Sequence, residues 1–283
     1  MEKIRIITDS ASDLTAPHRG DVTVLPMRIT FGAQEYFDGV TLGHREFYEK
    51  LIESDELPTT SLVNPAQFGE AFAAAVEAGE KVVVVTLSGK LSGTYQSAVL
   101  AAEEFPGQVH VVDSMNVTIG ERMLIDCALR MKDEGRGAAK IAAALEELRH
   151  RVHIVAVLDT LEYLKKGGRI PKAAAFIGEA LAIKPVVTLR EGEIVMLGKA
   201  RGSRNGNNYL MKEIERAGGV DFSMPYYLAY TGLDDAMLQK YVEDSRAIWE
   251  GHTDELPVCT IGATIGTHVG PNAVAVAFFS ARE

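Results

Sequence analysis

The feature that most constrains the fold is a regular alternation between two hydrophobic patterns in the first half of the chain. Short, continuous and β-branched runs occur at Ile4–Ile7, Val82–Leu87, Val109–Val112 and Val152–Leu158. Runs of this length predict strands that are buried on both faces. Between them, apolar residues recur at helical spacing over Phe68–Val76 and Ile141–Leu148. Strands that alternate with helices predict an α/β domain built on a parallel sheet.

The second half of the chain has a different pattern. Two apolar runs flank Arg190–Gly192 at the spacing of a β-hairpin. Helices are predicted over Asn207–Ala217 and along an apolar face from Leu238 to Trp249, and further strands at Tyr226–Thr231, Val258–Ile261 and Ala273–Phe279. A hairpin combined with such units predicts an α+β domain.

These patterns divide the chain into two parts. We place an N-terminal α/β domain at residues 1–154, with a small hairpin-like insertion at about 21–55, and a C-terminal α+β domain at 155–283. No long linker separates them, so close packing is expected. Ligands often bind at such interfaces, and we expect a ligand between the two domains.

One C-terminal segment raises the question of a membrane span. Residues 256–280 contain no Asp, Glu, Lys or Arg, and they are numerous enough to cross a bilayer. The segment also contains His268, Pro271, Asn272 and three glycines, which interrupt a helix and add polar groups that lipid does not satisfy. We therefore predict two buried strands joined by a glycine-rich turn.

Composition and motifs exclude several classes of protein. Lys and Arg total 29 against 39 Asp and Glu, and a net charge of −10 argues against general nucleic-acid binding. Two distant cysteines, Cys127 and Cys259, form neither a disulfide framework nor a zinc motif, and no signal peptide is recognisable, so a cytoplasmic location is expected. The chain has no Walker A sequence, no G-x-G-x-x-G after a strand, no H-E-x-x-H and no G-x-S-x-G. We therefore expect no metal, no cofactor and no catalytic residue.

Polar, glycine-rich segments follow several predicted strands, where open parallel sheets bind ligands. The loop that contains Ser92 and Gly93 offers hydroxyls and a backbone N–H at a helix N-terminus, which suits an anion. Thr60 and Ser61 form a second hydroxyl cluster. Both clusters could instead only cap the helices that follow them. His268 lies between glycines, either as a core histidine or as a residue that faces a site.

An ordered set of segments resembles the DegV family, whose members bind fatty acids. The matching segments are Thr8–Ser10 with Asp13–Leu14, Pro58–Ser61, Leu91–Ala98, Asp113–Ser114, Tyr163–Ile170 and Ile265–Pro271. The resemblance implies two domains with one long-chain fatty acid buried between them. It also implies that Thr60, Ser61 and Ser92 hold the carboxylate, with the Gly93 backbone and His268 nearby.

The resemblance also implies a partner. In family members that belong to a fatty acid kinase system, a separate ATP-dependent kinase phosphorylates the bound carboxylate. Arg169 and Arg201 are predicted to dock that kinase, and transient contact with a membrane is expected, although the cations near them could equally form a solvated face. A helix of small apolar residues predicted over Lys172–Ile183 serves either close packing or the lipid tail.

Two departures and two alternatives accompany the resemblance. This chain has Leu62–Asn64 where the family often has a Gln-Pro run, and Asn272 where a glycine is usual. Asn tolerates left-handed backbone angles, so the turn at Asn272 can survive. The first alternative is a hydrolase or phosphotransferase that uses Ser92 and His268, with Asp9 as a third group. The second is an interaction protein with an empty pocket.

Overall fold

The computed structural model describes residues 2–14, 20–170 and 183–281. Its strands are β1 (Ile4–Asp9), β2 (Val22–Leu25), β3 (Arg28–Phe31), β4 (Gln34–Phe37), β5 (Thr59–Ser61), β6 (Lys81–Thr86), β7 (Val109–Asp113), β8 (Val152–Val157), β9 (Ile183–Arg190), β10 (Glu193–Arg201), β11 (Tyr227–Tyr230), β12 (Val258–Thr260) and β13 (Val274–Phe279). Its helices are α1 (His44–Glu53), α2 (Pro65–Glu77), α3 (Thr94–Ala102), α4 (Thr118–Asp133), α5 (Ala138–Leu148), α6 (Glu162–Lys166), α7 (Gly202–Arg216), α8 (Ala236–Asp244), α9 (Arg246–Trp249) and α10 (Ala263–Val269).

The first sheet is parallel, in the order β2-β1-β6-β7. Its central strands are apolar along their length because helices cover both faces: Val82 to Val85 are fully buried. α2 begins with a capping box, in which Asn64 Oδ1 accepts from Gln67 N at 3.0 Å and Gln67 Oε1 accepts from Asn64 N at 3.1 Å. The predicted α/β domain is confirmed.

A small antiparallel sheet, in the order β4-β3-β5, lies beside the parallel sheet. β3 and β4 form a hairpin around Gly32, whose φ of 55° favours glycine. This hairpin and α1 fall within the predicted insertion at 21–55, whereas β2 belongs to the parallel sheet. β5 pairs with β3 so that Thr60 lies opposite Ile29, and this pairing fixes the position of the first hydroxyl cluster.

The second sheet has six strands in the order β10-β9-β8-β13-β11-β12. All its pairs are antiparallel except β11 with β12. The predicted hairpin is confirmed as β9 and β10, and α7 and α8 pack on one face of the sheet. The predicted α+β domain is confirmed. All of β8 pairs within this sheet, so the proposed division at residue 154 falls inside a strand.

The C-terminal segment differs from its prediction. A helix, α10, separates β12 from β13, and β11 lies between these two strands in the sheet. The prediction of two strands joined by a turn was wrong because a short helix, with Gly262 and Gly270 at its two ends, connects the strands. The first amides of that helix are bound by distant carboxylates, which local sequence does not show. Asn272 has a φ of 61°, which confirms that asparagine supports the left-handed turn.

Two further predictions of helices have different outcomes. The apolar face from Leu238 to Trp249 is formed by two short helices, α8 and α9, that meet at Ser245. The helix predicted over Lys172–Ile183 lies outside the described residues, apart from Ile183, which begins β9. Among the helices that the structure describes, none is long and apolar enough to cross a membrane.

Candidate functional site

A cavity of about 360 Å³ lies between the two domains, at the carboxyl ends of the parallel strands. The small sheet, the loop before α3, α6, α10 and β10 all contribute to its wall. The lining residues are Met27, Thr60, Ser61, Leu62, Leu87, Leu91, Ser92, Gly93, Val117, Leu164, Arg169, Ile194, Thr264, Ile265, His268 and Val269. All five residues predicted to bind fatty acid therefore line one cavity.

The polar end of the cavity joins two hydroxyl clusters to a histidine. Thr60 Oγ1 lies 2.9 Å from His268 Nε2, although the residues are 208 positions apart in sequence. Asn64, and not Thr60 or Ser61, caps α2, so the hydroxyls of the first cluster are not used as helix caps. Ser61, Leu62 and Gly93 are exposed, which places the polar end at the mouth.

The environment of His268 keeps its ring neutral. Burial lowers the pKa of His268 to about 4, and the positive charge of Arg169 acts in the same direction. Nδ1 is buried without a hydrogen-bond partner among the described residues. The ring packs against Gly167, where any side chain would collide with it. A neutral ring fixed by Thr60 and Gly167 can offer one N–H or one lone pair to a ligand.

The loop before α3 provides the second group of polar atoms. Ser92 Oγ lies 2.9 Å from Thr94 Oγ1 and accepts from Thr94 N at 3.3 Å, so it partly serves as a cap while it lines the cavity. Gly93 is the N-cap residue of α3, and as a glycine it provides no side-chain cap. A Cβ at Gly93 would lie 2.9 Å from Leu62 Cδ2, so Leu62, one of the departures from the family pattern, packs closely over this loop.

An apolar chamber of about 60 Å³ lies next to the cavity, against the second sheet. The two spaces share Val117, Leu164, Ile194, Ile265 and Val269. Beyond these, the chamber is lined by Thr118, Ile154, Ala156, Leu158, Val187, Thr188, Leu189, Ile261, Ala273 and Ala275. Ala156 and Ala275 are direct partners in the β8–β13 pairing, and their small side chains leave the space open.

The two arginines predicted to dock a partner occupy different places. Arg169 lines the cavity, where its Nε donates to Leu91 O at 3.2 Å and its Nη1 donates to Gly167 O at 2.5 Å. Burial lowers the pKa of Arg169. Arg201 ends β10, is exposed and does not line the cavity. Through its hydrogen bonds to Leu91 O and Gly167 O, Arg169 also holds together the two segments that carry these residues.

The residues of the hydrolase alternative do not form a triad in the described part of the chain. Ser92 Oγ pairs with Thr94, and His268 Nε2 pairs with Thr60. The Asp9 carboxylate accepts from Ala11 N at 3.0 Å and from Leu87 N at 2.9 Å. Within the described ranges, no three His, Cys, Asp or Glu side chains are grouped to hold a metal ion.

Several lining residues were not anticipated from the sequence. Met27 and Val117 lie in loops, Ile194 lies on β10, and none of them belongs to a recognisable motif. Thr264 lies beside the matched segment that contains His268, and its position on an unrecognised helix concealed its role. These residues meet only because the two sheets face each other across the cavity.

The fold and this cavity define a two-domain α/β protein in which an apolar cavity with a polar mouth lies between the domains. Residues 3–281 match the family model described as "Uncharacterised protein, DegV family". A DegV domain-containing protein of Deinococcus radiodurans is 35% identical over 282 residues, which cover 97% of each chain. The chain belongs to the DegV family.

Two solved structures are similar along nearly the whole chain. A fatty-acid-binding DegV family protein from Thermus thermophilus has a TM-score of 0.88 and 35% identity, and the match covers 98% of this chain and 99% of that one. The Streptococcus pneumoniae fatty acid kinase (Fak) B3 protein, loaded with linoleic acid, has a TM-score of 0.84 and 22% identity, with coverage of 98% and 99%. At 22% identity, the second likeness shows the fold alone.

Proposed function

We propose that this protein binds one long-chain fatty acid, with the carboxylate at Thr60, Ser61, Ser92, Gly93 and His268 and the tail along the apolar walls of the cavity and of the chamber. The observation that carries the proposal is that the two spaces share an apolar wall of five residues: hydroxyls and an imidazole line the mouth of the cavity, and apolar side chains line most of the chamber. The fatty acid binding of the Thermus thermophilus relative, 35% identical, supports it.

The energetics of such a ligand suit this arrangement. A palmitate-sized tail has about fifteen methylene or methyl groups, and at about 0.8 kcal/mol each their burial is worth roughly 12 kcal/mol. A bilayer offers the same gain, so the head-group contacts must provide the preference for the protein. Hydroxyl, backbone N–H and neutral imidazole donors can hold a carboxylate without an ion pair.

We further propose that the protein presents the carboxylate to a separate ATP-dependent kinase, as a lipid-binding subunit in the cytoplasm that contacts membranes transiently. The exposed polar mouth supports this role, because one carboxylate oxygen there remains accessible to a phosphoryl donor. The kinase-system name of the Streptococcus pneumoniae protein of the same fold is consistent with it. The reaction then needs no nucleophile from this chain.

The test is extraction and mass analysis of lipid from the purified protein, together with titration by palmitate. We expect one fatty acid per chain in the wild type and none in a folded His268→Ala variant. His153→Ala is the matched control, because His153 stacks on Phe278 away from this cavity and its loss should leave the lipid bound.

Other outcomes select the alternatives. Turnover of an ester or of ATP by the protein alone would support the Ser92 and His268 enzyme. A protein that extracts empty and stays empty when palmitate is supplied would support the interaction protein. If His268→Ala unfolds while wild type without lipid is as stable as wild type with bound palmitate, His268 is a core histidine.

A further inference from the structure

Helix α10 carries four cavity residues, yet its first turn is held by side chains of the first domain. Asp13 Oδ1 accepts from Gly262 N at 2.7 Å. Asp38 Oδ1 accepts from Ala263 N at 3.1 Å, and Asp38 Oδ2 accepts from Thr264 N at 2.9 Å and from Thr264 Oγ1 at 2.5 Å. The partners are 225 to 249 residues apart in sequence. Three of these four bonds satisfy backbone amides that a helix leaves free at its start, and the fourth is donated by the Thr264 hydroxyl.

Both carboxylates are buried, with exposed fractions of 6% each. Within residues 2–14, 20–170 and 183–281, neither forms an ion pair. Burial raises the pKa of Asp38, and the hydrogen bonds from Thr264 and Ala263 act in the opposite direction. A buried carboxylate without a cation is costly unless it is fully hydrogen-bonded. The positive end of α10 therefore stabilises Asp38, and Asp38 in turn stabilises α10.

Other residues of the first domain restrain the same segment. Ile261 O accepts from Tyr48 Oη at 3.0 Å and lies 3.1 Å from His44 Nδ1. A Cβ at Gly266 would lie 2.5 Å from Tyr48 Oη, so the helix packs closely on α1. Although α10 belongs to the second domain in sequence, its position is set by the first domain.

We infer that Asp13 and Asp38 are positioning residues for the lipid carboxylate, because they fix the start of α10 and so place His268 against Thr60. The inference rests on the proposed function. His268 lies four residues after Thr264, about one helical turn, so a displacement of the first turn moves the imidazole with it. Neither aspartate lines the cavity.

The test compares Asp38→Asn with Glu121→Gln. An asparagine keeps one acceptor oxygen, but its NH₂ group cannot accept, so α10 loses at least one of the three hydrogen bonds that Asp38 accepts. We expect palmitate affinity to fall roughly ten- to hundredfold, as for a lost hydrogen bond to a charged group. The ring ¹H–¹⁵N signals of His268 should also shift in the lipid-free protein. Glu121 is also buried, and it bonds to Thr8 and not to α10, so Glu121→Gln should leave both measurements unchanged.

The outcomes separate the inference from the proposed function. Wild-type affinity together with unshifted His268 signals in folded Asp38→Asn overturns the inference. If wild type binds no palmitate, the proposed function fails, and the His268 signals still decide whether Asp38 positions the ring. If Asp38→Asn does not fold, Asp13→Ala, which removes the oxygens that accept from Gly262 N and from Thr118 Oγ1, is measured in the same way. Unchanged affinity and signals there also overturn the inference.

Discussion

At the scale of single residues, hydroxyls and an imidazole form the polar end of the cavity, and the Arg169 guanidinium lies in the same wall. Thr60 reaches His268 because β5 is the edge strand next to α10, and Ser92 reaches the cavity because its loop follows a buried strand. Thr60 Oγ1, His268 Nε2 and Ser92 Oγ each lie within hydrogen-bond distance of another side chain of the protein, so these contacts hold the site in place. This preorganisation lowers the entropic cost of binding.

Substitution of the two hydroxyls tests this arrangement. We expect Thr60→Ala and Ser92→Ala each to weaken fatty-acid binding by roughly 1–3 kcal/mol, because each removes a hydrogen bond to a charged group. Thr59→Ala is the control, since Thr59 is the exposed neighbour on the same strand. Calorimetric titration with palmitate measures the change. Unchanged affinity in a folded double variant contradicts the assignment of the head-group site.

At the scale of elements, the apolar chamber is formed by strands whose two faces have different tasks. On β9, Val187 faces the chamber and pairs with Ala156, whereas its neighbour Val186 faces α7 in the core of the second domain. Alternation along a strand places adjacent valines in these two environments. A substitution at Val187 therefore changes the chamber, whereas the same substitution at Val186 changes only the core of the second domain.

A matched pair of substitutions exploits this alternation. Val187→Ala should enlarge the chamber and shift the bound fatty acids toward longer or bulkier chains. Val186→Ala removes the same atoms from a fully buried position and should lower stability without a change in the lipid profile. Chain-length analysis of extracted lipid from both variants gives the comparison. Identical profiles would place the tail elsewhere.

At the scale of the whole molecule, charge is distributed unevenly. The chain has a net charge of −10, yet cations gather in two stretches of the second domain, at Lys165, Lys166, Arg169, Lys172, Lys199, Arg201 and Arg204. Lys172 lies outside the described residues, and Lys166 forms an ion pair with Glu162 at 2.6 Å. Arg169 holds two backbone carbonyls at the cavity, so its removal would disturb lipid binding as well as docking. Arg201 is the cleaner probe of a docking surface.

We expect Arg201→Ala to reduce acyl-phosphate formation with the partner kinase severalfold while palmitate affinity is unchanged. Rim charges act mainly on the association rate, and salt screens them. The rate at which the wild type associates with the proposed kinase should therefore fall as the salt concentration rises. Arg216→Ala removes an exposed arginine at the far end of α7 and serves as the control. If Arg201→Ala keeps full activity and the wild type shows no salt dependence, the docking surface is contradicted and the cations form only a solvated face.

The sequence by itself determined the features that depend on local patterns. Continuous β-branched runs require burial on both faces, so the strands at Ile4, Val82 and Val109 and the parallel sheet follow from them. The spacing around Arg190–Gly192 determined the hairpin for the same local reason. The ordered motifs indicated the family and five of the residues that line the cavity.

The tertiary structure decided what depends on partners far away in the chain. The glycine-rich segment around Thr264 is helical because Asp13 and Asp38, more than 200 residues earlier, accept its first amides. The same long-range packing brings His268 to Thr60. A hydrogen bond needs both partners in place, and the sequence pattern of a segment describes only one of them.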